Sequence, residues 1–341
     1  MAQLWTDVQT PAELTGYARA AQSEWEANTD TLAAFLPNRN IFDTVFRTTV
    51  GDNGFVDEAD FRAYDAEPTV GRGPQGKRVT LELPALGQEI PVSEYNQLRG
   101  RAATEPVVAQ MLQDTAQRVV RAVSDRMERM RGLVLATGKA TIETPGFITD
   151  DDFGRDPALT ITAANLWSAD GADPIADLKV WRDLYTDKNG VEPGALVMSR
   201  QIASALANAS QFQITTAGGG SRPATEQDVA SILEAHGLPR PRIYSRRTRA
   251  GLVLPADTLL LLPAPVAVDD WQGTELGATT WGQTLTSTDP AWDIAGEDQA
   301  GIVVGAYRNP KPPMVATIVS DAIGLPVLAN ANLSLAAKVL G

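Results

Sequence analysis

The segment FRAYDAEPTVGRGPQGKRVTLELPALGQEIPVSEYNQL, residues 61–98, runs almost directly into EPVVAQMLQDTAQRVVRAVSDRMERMRGLVLATG, residues 105–138. The first is extended and rich in turn residues, and the second reads as one long helix. In the extended part, Arg78-Val79-Thr80-Leu81-Glu82-Leu83 alternates polar and apolar residues, the period of a half-buried strand. The turn residues Gly71-Arg72-Gly73-Pro74-Gln75-Gly76 separate it from the run Phe61 to Val70, which predicts an irregular hairpin of these two arms. Arms of roughly 12 to 18 residues at about 3.3 Å per residue reach about 40 to 60 Å. That is too long to fold back on one domain. A two-stranded hairpin with open edges is marginal alone in water, so its expected support is a neighbouring subunit.

The helical part opens at Thr104-Glu105-Pro106. Thr104 is the expected N-cap, Glu105 sits at the positive end of the helix dipole, and Pro106 falls in the first turn, where a missing N–H costs nothing. Gly138 is the expected stop. Val108, Met111, Leu112, Val119, Val123, Met130, Leu133 and Val134 recur at three- and four-residue steps and form one apolar stripe. Arg118, Arg121, Asp125, Arg126, Glu128, Arg129 and Arg131 fill much of the remainder. About 32 residues at 1.5 Å each give roughly 48 Å, several times the usual helix of about 11 to 12 residues. Gly132 is expected to shorten or bend it.

Taken together, these features resemble the lambda-like major capsid proteins of tailed bacteriophages, the protein E family. The residues that carry the resemblance are Leu36-Pro37-Asn38-Arg39, the run Phe61 to Pro68, the Gly/Arg turn, Leu81-Glu82-Leu83-Pro84, Ile90 to Tyr95, and the long helix. Length and order of elements agree along the chain, and the similarity is sharpest between about residues 30 and 140. The resemblance implies an α+β fold of the Hong Kong 97 type. Its expected parts are an N-terminal arm (1–41), an extended loop (42–101), a peripheral domain with its spine helix at 105–137 (102–169 and 296–341), and an axial domain (170–295). It further implies a structural protein, not an enzyme, assembling with itself into the hexamers and pentamers of an icosahedral virion shell around double-stranded DNA in the host cytoplasm. A portal protein and a decoration protein are the other implied partners. No long, charged, heptad-rich segment precedes the capsid-like part, so the scaffolding protein is expected to be a separate chain.

Composition is compatible with that reading. At 341 residues and 43% hydrophobic content the chain can build two or three domains with real cores. No apolar run approaches the roughly 20 residues needed to span a bilayer. Met1-Ala2-Gln3-Leu4-Trp5 lacks the basic and apolar regions of a signal peptide, so a soluble chain without membrane partners is expected. With no cysteine, disulfides, thiolate nucleophiles and cysteine zinc sites are excluded. The formal charge of -13 argues against a sequence-specific nucleic-acid binder and suits the wall of a DNA container, which must not adhere to phosphate.

The flanking regions read as mixed helix and strand. Thr10 starts a helix from Pro11 to Ala27, and Thr144 to Pro157 reads as a loop. Asp173-Pro174 opens a helix ending near Asn189-Gly190. Leu196-Val197-Met198 is a short buried strand before a helix from Arg200 to about Asn208. Thr225-Glu226-Gln227-Asp228 is a capping box before a helix stopped by Gly237, and Ile243 to Tyr244 and Thr258 to Leu262 are strands. Gly301 to Tyr307, Met314 to Val319 and Ile323 to Leu328 are three closing apolar runs.

Candidate chemistry is sparse. Gly71 to Gly76 matches G-x-G-x-x-G, but a strand follows it where a dinucleotide site needs a helix, so it is a loop turn. Asp150-Asp151-Asp152 lacks calcium-loop spacing and reads as a solvated acidic loop. His236 is the single histidine, and its place before Gly237 makes it a helix C-terminal residue. No cofactor or metal is expected. Asp269-Asp270-Trp271 and Trp292-Asp293 pair carboxylates with aromatics, as carbohydrate-active hydrolases do, and this is the enzyme alternative. An encapsulin-like nanocompartment shell is the alternative within the same fold. Arg62, Arg72, Lys77 and Arg78 are the expected inter-subunit contacts of the loop, through guanidinium or ammonium to carboxylate pairing. Some shells of this fold weld a loop lysine to an asparagine of a neighbour. Here that would be Lys77 with Asn309, Asn330 or Asn332, although the lambda-like branch generally relies on non-covalent contacts.

Overall fold

The computed structural model describes residues 2–50, 59, 61–67, 77–95, 97, 105–144, 146–169, 171–215 and 220–341. Its organising element is the helix Glu105–Thr137, 33 residues without interruption. Leu112, Ala116, Val119, Val120, Val123, Met127, Met130, Val134 and Leu135 are buried along it, with Val108, Met111 and Leu133 partly buried against the same core. The expected N-cap Thr104 lies outside the described residues.

Glu128 and Arg131 depart from the expected polar face, being 0% exposed. Gly132 does not shorten the helix. A Cβ there would lie 2.5 Å from the Val253 carbonyl oxygen and 2.7 Å from Val253 Cγ1, so its function is to let the 253 segment lie directly on the helix. At the end, Gly138 takes φ 73°, the left-handed conformation that glycine adopts freely. Arg155, 9% exposed, donates from Nη1 to the Leu135 carbonyl at 2.9 Å and from Nη2 to that of Ala136 at 2.7 Å. A cation thus satisfies terminal carbonyls that the helix leaves without partners. Burial pushes the Arg155 guanidinium down to about 10, against the attraction of Asp152.

Two sheets pack around this helix. In the six-stranded sheet, Ala316–Leu328 is a single 13-residue strand that pairs antiparallel with Val303–Arg308, Gly277–Gly282 and Ala85–Val92. Gln3–Leu4 extends it beyond Val303–Arg308, and Asn38–Asn40 runs parallel to Gly277–Gly282. The expected break between Val319 and Ile323 is absent, because the ladder continues unbroken through Ser320 to Ala322. The five-stranded sheet has the order Pro241–Ile243, Ala195–Met198, Thr258–Leu262, Leu335–Lys338, Thr160–Thr162. The leucines of Thr258–Leu262 are all at 0% exposure, as expected of a central strand covered on both faces.

The sheets do not divide the chain where the expected domains do. Gly277–Gly282, expected on the axial side, pairs with Ala316–Leu328. Thr160–Thr162 and Leu335–Lys338, expected peripheral, sit in the five-stranded sheet. The expected N-terminal arm is docked: its helix Pro11–Asn28 starts at a capping box of Thr10 and Glu13, and Thr15 Oγ1 exchanges hydrogen bonds with the backbone of Val304. Strand partners lie far apart in sequence, so a local apolar pattern marks a strand without naming its sheet.

Other local readings fare differently. Helices Pro174–Asn189, Arg200–Asn208 and Glu226–Ala235 form as expected, capped by Asp173, Ser199 and Thr225. The loop expected from Thr144 to Pro157 is largely a hairpin, Lys139–Thr144 against Phe147–Asp152. In the extended loop, Lys77–Glu82 pairs with Val45–Val50, not with the run from Phe61. The β-branched and aromatic run Val45-Phe46-Arg47-Thr48-Thr49-Val50 outcompetes Phe61 to Glu67, whose alanines and acids suit a strand poorly. Residues 61–67 instead form an exposed turn.

Two glycines in helices give opposite expectations. Gly16, in the N-terminal helix, has open space where a Cβ would lie. Gly16→Ala is therefore expected to stabilise the protein by about 0.5 to 1 kcal/mol. Gly132→Ala, despite the same propensity gain, is expected to destabilise by about 1 to 3 kcal/mol through overpacking. Chemical denaturation of both variants checks the pair.

Candidate functional site

Beneath the N-terminal helix, side chains from four parts of the chain converge on Arg131. Its Nη1 donates to Glu26 Oε1 at 3.1 Å and to Glu128 Oε2 at 3.2 Å, its Nε to Thr279 Oγ1 at 2.8 Å, and its Nη2 to Asn38 Oδ1 at 2.8 Å. The partners are themselves satisfied. Asn38 Nδ2 donates to Glu26 Oε2 at 2.7 Å, Trp281 Nε1 donates to Asn38 Oδ1 at 2.9 Å, and Glu128 Oε1 accepts from the Leu32 N–H and the Tyr244 hydroxyl, each at 2.7 Å. The side chains of Arg131, Glu26 and Glu128 are each 1% exposed. Burial opposes the Arg131 charge, but Glu26 and Glu128 outweigh it and hold the guanidinium above its usual range. Burial, reinforced by Glu128, raises the Tyr244 hydroxyl far above the phenol range.

Arg246 adds a second cation, 3.7 Å from Glu128 and 2.6 Å from Asp125, with its guanidinium 4.1 Å above the Trp25 ring. Arg242 pairs with Asp30 and lies over Phe35. The junction therefore ties the N-terminal helix, the long helix, both sheets and the segment between them. Nothing local in the sequence signals it beyond the i,i+3 spacing of Glu128 and Arg131.

The surfaces carry the remaining candidates. Arg62 donates from Nη1 to the carbonyls of Tyr64 at 3.2 Å and Ala66 at 2.6 Å, which shapes the turn from within. On either side of it Phe61 and Tyr64 are 108% and 101% exposed. Arg78 is exposed on Lys77–Glu82, opposite Thr49. Arg72 and the loop turn from Gly71 to Gly76 lie outside the described residues, as does the side chain of Lys77. Asn309 is half-buried. Asn330 caps the N–H of Asn332, and Asn332 Oδ1 accepts from the Asp156 N–H at 2.8 Å; both are buried. Asp152 pairs with Lys139 at 2.8 Å, Asp150 accepts from Thr141, and Asp151 from Thr149. His236 is exposed at the C-cap of Glu226–Ala235.

The acid and aromatic pairs do not form a sugar clamp. Trp292 is 2% exposed and tilted against Tyr307 in the core, while Trp271 lies beneath Arg39 and Asp270 accepts from the Gly273 N–H. Among the described residues no helix is long and apolar enough to cross a membrane, and no group of three acidic or histidine side chains is placed to hold a metal.

The sequence matches the family described as phage major capsid protein E over residues 10–269, more than half of the chain. The chain belongs to that family. It is a phage major capsid protein, and its fold is of the Hong Kong 97 type. Among solved structures, a protein assigned as the capsid protein of a prophage of Escherichia coli CFT073 is similar at a TM-score of 0.65 and 17% identity, covering 99% of each chain. A phage-related protein from Bordetella bronchiseptica RB50 is similar at 0.57 and 14% identity, covering 96% of each chain. The holo-SrpI encapsulin of Synechococcus elongatus PCC 7942 is a weaker likeness, at 0.46 and 11% identity over 94% of this chain and 95% of that one. No curated protein matches the sequence.

In this capsid protein, Arg131→Met is expected to destabilise by about 3 to 5 kcal/mol, because it strands two buried carboxylates. Adding Glu26→Gln and Glu128→Gln to it removes the stranded charges and is expected to recover much of the loss. Urea midpoints of wild type, single and triple variants check this.

Proposed function

We propose that the protein assembles into hexamers and pentamers of the icosahedral head of a tailed bacteriophage, enclosing double-stranded DNA and built in the host cytoplasm. The observation that carries the reading is the segment 61–67. Phe61 and Tyr64 stand fully exposed on a turn that Arg62 ties together from within through Nη1. Among the described residues these two large aromatics have nothing to pack on, and aromatic anchors are what protein interfaces concentrate their energy in. Among the described residues the paired strands Val45–Val50 and Lys77–Glu82 form a separate two-stranded ribbon with open edges, which points the same way.

The long helix with its six-stranded sheet suits the peripheral part of the subunit, and the five-stranded sheet with its flanking helices suits the axial part at the capsomer centre. Arg62, Arg72, Lys77 and Arg78 are assigned to contacts between subunits, and a covalent bond from Lys77 to Asn309, Asn330 or Asn332 is not required by the reading. Of the three, Asn330 and Asn332 already serve buried turns. Separate scaffolding, portal and decoration proteins are the assigned partners. The nanocompartment alternative is not favoured, given the capsid family, and the hydrolase alternative loses its second aromatic platform to the core.

Electron microscopy of the purified protein, alone and co-expressed with neighbouring genes, tests this. Closed shells or capsomer rings are expected for the wild type. Phe61→Ser with Tyr64→Ser is expected to leave a folded subunit that no longer assembles, each aromatic contributing about 2 kcal/mol at its contact. Wild type that stays a small oligomer under every condition would overturn the reading, and a double variant that assembles normally would remove the segment from the interface.

A further inference from the structure

Arg118, Arg121, Arg126 and Arg129 lie along about 16 Å of the long helix, on the side away from its buried stripe. Arg118, Arg121 and Arg126 are exposed and Arg129 is half-exposed. Among the described residues none of the four pairs with a carboxylate. Their acidic neighbours are engaged elsewhere: Asp114 with Gln110, Asp125 with Arg246, and Glu128 in the buried junction. In a chain with 42 acidic side chains against 29 basic ones, four cations with no carboxylate partner among the described residues are the opposite of what composition favours; Arg121 lies 5.8 Å over the Trp25 ring.

Beside the arginines, between the long helix and Pro11–Asn28, is a cleft of about 360 Å³ with Gln22, Asn28, Gln117 and Arg121 on its walls. Ser124 also lines it, 1% exposed, and its Oγ has no hydrogen-bond partner. Glu24 is the one carboxylate among the described lining residues. Arginine forks match phosphate oxygens, and a buried hydroxyl without a partner is a donor in need of an acceptor. Between residues 114 and 129 the helix exposes no large apolar side chain, and the one aromatic on the cleft wall, Trp25, is half-buried with Arg121 and Arg246 over its ring, so it is not free as the anchor a protein partner would use. Binding a nucleic-acid backbone needs only spaced cations.

We propose that this face binds the phosphodiester backbone of the enclosed duplex, with the four arginines on phosphates and Ser124 presented in the cleft. The proposal rests on the reading of the protein as a DNA-enclosing shell. It places attraction on one stripe while the acidic remainder of the subunit repels the polymer, so that contact is local and independent of sequence.

The test is fluorescence anisotropy of a labelled duplex of about 20 base pairs with the unassembled full-length chain across a salt series. Wild type is expected to bind with an affinity that falls with salt. Each of R118Q, R121Q, R126Q and R129Q is expected to lower the log–log salt slope by about 0.9. R200Q with R240Q, which alters surface arginines outside the stripe, is expected to leave the slope unchanged. The single variants are read separately, so one that misfolds leaves the others to decide. No binding by wild type, slopes unchanged in all four variants, or tighter binding of a poly-glutamate peptide than of DNA would overturn the proposal, the last in favour of an acidic protein partner. Shell formation is scored by microscopy on the same preparations, so particles with no DNA binding refute this inference alone, and absence of particles refutes the shell reading.

Discussion

The Arg131 junction is the constraint on which the rest of the subunit depends. Taking a guanidinium and two carboxylates out of water costs several kcal/mol per ion, and that cost is recovered only when every donor and acceptor finds a partner. Here Arg131 uses Nε, Nη1 and Nη2, and both oxygens of Glu26 and of Glu128 are occupied. Geometry this demanding exists for one arrangement of the N-terminal helix, the long helix and the strand containing Thr279. A junction of apolar side chains would tolerate sliding by a fraction of a turn, whereas this one loses several charge-assisted bonds together.

What was legible in the sequence is what short-range chemistry decides. The Thr10 start, the Thr225 capping box, the Asp173-Pro174 start, the Gly138 and Gly190 stops and the length of the long helix all depend on neighbours within a turn. The α+β class and the capsid family were legible for a related reason, since the order of such elements is itself a pattern. The partner of Lys77–Glu82 was not, because Val45–Val50 lies across a long connection and the nearer run from Phe61 offered a simpler hairpin. The same limit hid the sheet membership of Gly277–Gly282 and Leu335–Lys338.

Site residues show the limit more sharply. Glu128 and Arg131 read as ordinary members of a polar helix face, since nothing nearby announces that Glu26, Asn38 and Thr279 will meet them. Arg155 is similar: its role at the carbonyl end of the long helix depends on a chain reversal that spacing alone does not reveal. Arg62 is also tied into its own turn through Nη1, a bond that residue type and spacing do not announce. Phe61 and Tyr64 stood in the quoted segment, but exposure is a property of the fold and cannot be read from residue type.

The 13-residue strand Ala316–Leu328 has a consequence for how the molecule comes into being. It is the common partner of Ala85–Val92, Gly277–Gly282 and Val303–Arg308, and Leu335–Lys338 likewise sits inside the five-stranded sheet. Neither sheet can close until residues beyond 316 have been synthesised. While the ribosome is still working, Ala85–Val92 and Thr160–Thr162 wait without the strands they pair with in the finished subunit. Topology of such high contact order folds slowly and leaves strand edges open meanwhile. Both sheets therefore reach their finished form late and together, and the edges of the early strands stay open until the strands from residue 316 onward have emerged to cover them.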